Sequence, residues 1–137
     1  MTRLVIDASI TMAWLFHDER TPERMQVRDA VARDGALVPT SWWLEIANSL
    51  WTAERRARID RAGRIARLDV LSVLPITADP ETVVHAWATT SSLAAAHRLS
   101  VYDAAYLELA LRAAKPLATL DAALHAAARR EGLTTLP

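Results

Sequence analysis

Four carboxylates, Asp7, Glu45, Asp103 and Asp121, each stand where an apolar strand ends or a helix begins, although they are spread over nearly the whole chain. In a parallel α/β sheet the strand ends open into one crevice, so acids at such places can converge there. Two carboxylates about 4 Å apart repel by roughly 4 kcal/mol at an effective dielectric near 20, and a cluster of them demands a cation. The donors are hard oxygens. There is no Cys, and His17, His85, His97 and His125 never fall three or four residues apart, so Mg²⁺ or Mn²⁺ is expected rather than zinc.

Each acid also has a plainer role open to it. Asp7 and Asp121 follow short apolar runs as helix N-caps would, with Ser9 a second cap candidate near Asp7. Asp103 heads a helical stripe of Tyr106, Leu107, Ala110 and Ala114 that should be buried, yet it also has capping-box spacing from Ser100. Glu45 shares a helical face with Ser41, Asn48, Ser49 and Thr52, and Trp43, Ile46, Ala47 and Leu50 are expected to face the core. Glu108, one turn before Arg112, reads as half of a solvated ion pair. Singly these are ordinary positions; four acids at equivalent strand exits and helix entries are not easily four unrelated caps.

The elements that must position them alternate along the chain. Leu4–Ile6 reads as a buried strand followed by a helix over 9–16. Thr21, Pro22 and Gly35 bracket a second helix as cap, first helical residue and stop. A strand at 36–38 leads through Pro39 and Thr40 into a long helix to Arg58, with 60–71 as its antiparallel neighbour. Further strands are expected at 73–77, 117–119 and 133–136, and further helices at 81–99 behind the Asp79-Pro80 start, 102–114 and 122–131. This order predicts a mostly parallel central sheet of four or five strands covered by helices.

Composition sets the outer limits. With 137 residues, 52% of them hydrophobic, the chain is read as one domain over 1–137 with a real core. The absence of Cys fits a reducing compartment, and the cytosol is the expected location. No export signal is expected in MTRLVIDAS, and the longest uncharged stretch, 82–96, is too short to cross a bilayer. Sixteen basic residues balance 16 acidic ones, so any grip on phosphates must be local. Arg55, Arg56, Arg58, Arg61, Arg64 and Arg67 form one such locality. They can be read as phosphate contacts, or as a solvated hairpin with Glu54–Arg58 and Asp60–Arg64 pairs. Of the five Trp, Trp43 is expected in the core, while Trp42 and Trp51 suit a subunit or partner groove.

The segments LVIDASI, WWLEIANSL, SVYDAAYLELA and PLATLDAALHAAARREGL together resemble the PIN-domain ribonucleases, and within them the VapC-type toxins of toxin–antitoxin pairs. The resemblance spans nearly the whole chain and implies a three-layer α/β/α sandwich. It carries the family's acidic quartet onto Asp7, Glu45, Asp103 and Asp121, and its Ser/Thr-x-Asp element onto Thr119. Asn48 falls at a position the family often fills with a polar side chain, whereas Ala122 and Ala123 stand where relatives often carry another polar or charged residue. The resemblance further implies Mg²⁺- or Mn²⁺-dependent hydrolysis of RNA, a homodimer and a small VapB-type antitoxin. On that reading Asp7 and Asp103 contact the metal, Asp121 and Glu45 complete the cage, and Thr119 orients a water. Arg55, Arg58, Arg61 and Arg64 would meet RNA, antitoxin or both. Two other readings remain: a non-catalytic binding module on the same fold, and a receiver-like signalling domain, against which the order of Lys115-Pro116 before its strand speaks.

Overall fold

The computed structural model describes residues 3–137. Five short strands, β1 (Leu4–Ile6), β2 (Ala36–Val38), β3 (Ile76–Ala78), β4 (Leu117–Ala118) and β5 (Thr135–Leu136), form one sheet in the order β3-β2-β1-β4-β5. Every pairing is parallel, with Val5 opposite both Leu37 and Leu117. Parallel strands need crossovers, and these are supplied by α1 (Ala8–Leu15) and α2 (Pro22–Asp34) between β1 and β2, and by α3 (Trp42–Arg55) and α4 (Arg61–Ser72) between β2 and β3. Three helices, α5 (Thr82–His85), α6 (Ser91–His97) and α7 (Val101–Ala113), lead from β3 to β4, and α8 (Ala122–Arg130) leads to β5.

Chain direction then sets the layers. The path steps from β1 to β3 one way along the sheet and returns the other way to β4 and β5. With right-handed crossovers, α1–α4 cover one face and α5–α8 the other. Packing agrees: α1 meets α2 and α3, and α3 meets α4, while α7 meets α6, α8 and β1. The result is the α/β sandwich expected from the sequence. Its core includes the fully covered Val5, Ile6, Ile10, Leu50, Tyr106, Leu117 and Leu124. No helix among the described residues is long and apolar enough to cross a membrane.

Several boundaries follow the expected local chemistry. The Thr21 hydroxyl accepts from the Arg24 N–H, Pro22 opens α2, and Gly35 ends it at φ 87°, where its N–H reaches the Val31 carbonyl. Others differ. The third strand begins at Ile76 rather than Val73, because Val73 ends α4 and Pro75 has no N–H to pair; its carbonyl instead accepts from Ala36. The helix expected to run unbroken to Leu99 is interrupted at 86–90 by a wide π turn. The β-branched runs Thr82-Val83-Val84 and Thr89-Thr90 weaken it, and the Ser91 hydroxyl bonds the Ala86 carbonyl five residues back.

The buried stripe of α3 is Trp42, Ile46 and Leu50, not the stripe through Trp43 and Ala47. Only one of two adjacent indoles can face the core. Trp42 takes that place because its Nε1–H finds the buried Thr11 hydroxyl at 3.3 Å; Trp43 packs edge-on against it and stays 44% exposed. Trp42 is therefore no candidate for an external groove, whereas Trp51 remains on the surface.

Candidate active site

Helices that return across a parallel sheet start at the edge where the strands end. Asp7 leaves β1 and caps α1, Glu45 lies in the first turn of α3, Asp103 in the first turn of α7, and Asp121 caps α8. All four expected acids therefore belong to one edge of the sandwich. The chain reverses its direction along the sheet between β1 and β4, and this switch point is where α/β sheets open a ligand crevice. Asp7 stands at the end of one bordering strand, Thr119 and Asp121 just beyond the other.

The plainer cap role is real for Asp7 and Asp121, and it does not exhaust them. Asp7 Oδ1 accepts from the Ile10 N–H at 3.0 Å and the Ser9 hydroxyl at 2.7 Å, and Oδ2 accepts from the Thr119 hydroxyl. Asp121 Oδ1 accepts from the Leu124 N–H at 2.8 Å. Ser9 and Thr119 stitch the two strand ends together, Ser9 accepting from Leu120 at 2.8 Å and Thr119 from Asp121 at 3.0 Å. The Thr119 hydroxyl donates to Asp7, so Thr119 holds that carboxylate in place. At Asp103 the cap is Ser100, whose hydroxyl accepts from the Asp103 N–H at 3.1 Å.

Glu45 is held from the opposite face of the sandwich. Its Oε1 accepts from the Tyr106 hydroxyl at 3.1 Å and the Ser41 hydroxyl at 3.3 Å. The sequence pointed to Tyr106 only as a core residue. The available signal was that a buried tyrosine ring must place its hydroxyl somewhere, and an acid 61 residues away on α3 was the partner. Burial and the neighbouring Glu45 charge push the Tyr106 hydroxyl far above its ordinary value of 10.0, so it remains a donor. Tyr106→Phe keeps the ring and removes one of two donors to Glu45. The expected result is a loss of only about 1 kcal/mol in stability with a 10- to 100-fold fall in the proposed activity, roughly the effect of losing a support behind a ligating group. Thermal unfolding and initial rates on the same preparation check both.

The acids share one electrostatic field. Burial raises the Asp7 carboxyl above its ordinary value of 3.8 against the lowering effect of Thr119, Ser9 and Ile10, and the charge of Asp103 adds to the rise. Glu45 is raised by burial and by Asp103 and Asp7, while Tyr106 and Ser41 oppose; Asp103 is raised by burial and by Asp121, while Ser100 opposes. Among the described residues, no three acids or histidines stand close enough to grip one ion. Like charges shift one another over about 4–6 Å, whereas coordination requires about 2 Å, so mutual influence without a closed cage is consistent. The donor chemistry fits a hard divalent cation: oxygen ligands only, partly desolvated and mutually repelling.

Two further expectations change. Glu108 is 4% exposed, not solvated. Arg112 holds it at 2.7 Å and reaches the buried Asp79, at the end of β3, through two bonds of 3.2 and 2.5 Å. Asp79 is thus a fifth acid at a strand end, but Arg112 neutralises it and removes it from the quartet's chemistry. In the arginine hairpin, Arg64 pairs with Glu54 at 2.6 Å instead of Asp60, which caps α4. Arg58 pairs with Asp18 at 3.1 Å and Glu19 at 2.9 Å, not with Glu54. Its guanidinium lies 3.8 Å over the Phe16 ring, with Arg67 at 4.8 Å. Arg58 and Arg64 are therefore tied to the fold by ion pairs, while Arg55 and Arg61 of the expected contact set are exposed. Arg55 lies 5.8 Å from the Trp51 ring.

The profile of the PIN domain matches residues 4–130. Among solved structures, PAE2754 from Pyrobaculum aerophilum superposes with a TM-score of 0.71 at 24% identity, covering 98% of this chain and 90% of that chain. FitAcB from Neisseria gonorrhoeae gives 0.68 at 15% identity, with 98% and 96% covered. At these identities the two structures speak for the fold alone. No curated protein sequence matches the chain.

Proposed function

Because the chain belongs to the PIN-domain family, matching it over residues 4–130, we propose that it is a divalent-metal-dependent endoribonuclease. What supports this reading is that Asp7, Glu45, Asp103 and Asp121 all stand at one edge of the sandwich, where three of the four have carboxyls raised by burial and by one another's charge. Asp7 and Asp103 would hold Mg²⁺ or Mn²⁺, with Asp121 and Glu45 completing the set. When bound, such an ion supplies an acidified water and offsets the charge that develops on a phosphodiester under attack. The protein's own part is orientation. Thr119 and Ser9 fix Asp7, Tyr106 and Ser41 fix Glu45, and Asp121 is fixed through Oδ1 by the Leu124 N–H.

Incubation with RNA provides the test. Cleavage is expected with Mg²⁺ or Mn²⁺, to stop on chelation, and to return when either ion is restored. Absent cleavage would leave the chain as a binding module on the same fold, and cleavage that persists on chelation would overturn the metal-dependent reading. We extend the proposal to a cytosolic toxin, a homodimer neutralised by a small VapB-type antitoxin. Exposed Trp51, Trp43 and Trp87 support it as apolar surface available for protein contacts. Growth arrest on expression of the chain alone, relieved by co-expression of the small protein encoded next to it, would support the extension.

A further inference from the structure

Beside two of the four acids lies an open groove of about 480 Å³ lined by Ser41, Leu44, Glu45, Asn48, Ser100, Tyr102 and Asp103. Its apolar members are displayed rather than buried: Tyr102 is 66% exposed and Leu44 75%. Each directly precedes an acid of the site in the chain, Tyr102 before Asp103 on α7 and Leu44 before Glu45 on α3. An aromatic ring and a branched aliphatic side chain thus line the same groove as Glu45 and Asp103.

We propose that this groove is a nucleobase subsite, in which Tyr102 stacks on one base of a single-stranded RNA and Leu44 packs against it, placing the adjoining phosphate at the acids. The inference rests on the ribonuclease reading and adds the part of the substrate that is gripped. The charge of the groove selects the occupant. Glu45 and Asp103 repel a phosphate that lacks a cation, whereas an uncharged base brings a π face to Tyr102 and hydrogen-bonding edges to Ser41, Asn48 and Ser100. A base in a duplex is stacked on its neighbours and cannot enter, so the groove favours single strands. Tyr102 differs from Tyr106 one turn later, whose ring is fully covered and whose hydroxyl serves Glu45.

The test measures binding of a labelled single-stranded RNA oligonucleotide, with Mg²⁺ present, in an Asp7→Asn background that does not cut it. Tyr102→Ala is expected to weaken binding by about 5- to 150-fold, the range that loss of one base–aromatic stack produces. Tyr102→Phe is expected to stay within about twofold, because stacking does not need the hydroxyl. An oligonucleotide stripped of its bases should bind weakly to both the parent and Tyr102→Ala, without distinguishing them. Equal binding of the intact oligonucleotide by parent and Tyr102→Ala would overturn the proposal. If Tyr102→Ala instead leaves RNA binding alone and splits a dimer on a sizing column, the groove is an interface between copies and the proposal is equally overturned. The ribonuclease reading fails separately, if the unmodified chain shows no metal-dependent cleavage even where Tyr102 governs RNA binding.

Discussion

Asp7→Asn is expected to reduce RNA cleavage by more than about 100-fold, beyond the loss that removing an outer support of a metal site causes, while the protein unfolds at the same temperature or higher. Asn is as good an N-cap as Asp, so the bond from Ile10 to position 7 survives and α1 keeps its start. The charge does not survive. In the parent, Asp7 is 3% exposed and is raised by burial and by Asp103. A carboxyl whose folded value is raised favours the fold below its ordinary pKa, and that contribution disappears as pH climbs through the raised value. At neutral pH, without divalent ions, the ionised group is therefore a burden on stability, and the amide removes it. Asp103→Asn follows the same logic through burial and Asp121. Calorimetry and a cleavage assay on the two variants check both parts, and added Mg²⁺ or Mn²⁺ should raise the unfolding temperature of the parent but hardly that of Asp7→Asn. A variant that still turned over RNA at near-parent rates would remove Asp7 from the proposed machinery.

The second large effect concerns stability alone. Arg112→Met leaves the side chains of Asp79 and Glu108, each 5% exposed, without the cation that pairs them. Removing one partner of a buried ion pair costs about 3–5 kcal/mol, and the 25% exposure of Arg112 places this case near the lower end. For a chain of this size that corresponds to a fall of roughly 10 °C in unfolding temperature. The pH dependence should change sign. Burial opposes the charge of Asp79, yet Arg112 and the Glu81 N–H hold its carboxyl below 3.8, so the parent keeps this contribution above that value and loses it in more acid solution. In Arg112→Met the abandoned carboxylates repel at neutral pH, and acid should relieve them, so the variant gains stability where the parent loses it. Unfolding curves at neutral pH and at about pH 3, below the ordinary carboxyl value, separate the two behaviours.

Much of this protein was legible from local chemistry. Thr21-Pro22 and Gly35 announce the ends of α2, and the acids after Leu4–Ile6 and Leu117–Leu120 announce strand exits, because caps, prolines and short apolar runs act over a few residues. Errors occurred where a local pattern had two equally good solutions. Adjacent Trp42 and Trp43 offer two possible stripes, and only the Thr11 hydroxyl, 31 residues away, selects Trp42. Glu108 and Arg112 make the same i,i+4 pair on a surface or inside; Asp79, arriving from β3, puts it inside. Arg58 and Glu54 have pairing distance along a helix, but Asp18 and Glu19 compete from across the fold.

By itself the sequence determined the order of strands and helices, the parallel character of the sheet, and the identity of the four acids at element ends, since periodicity, capping and turn chemistry act between near neighbours. Tertiary structure decided which acids raise one another's carboxyls and which is neutralised. Those outcomes depend on the chain reversing its direction between β1 and β4, and on helices from opposite faces meeting at Glu45 and Tyr106. Charge and burial act through space, and only the folded chain sets the distances over which they act.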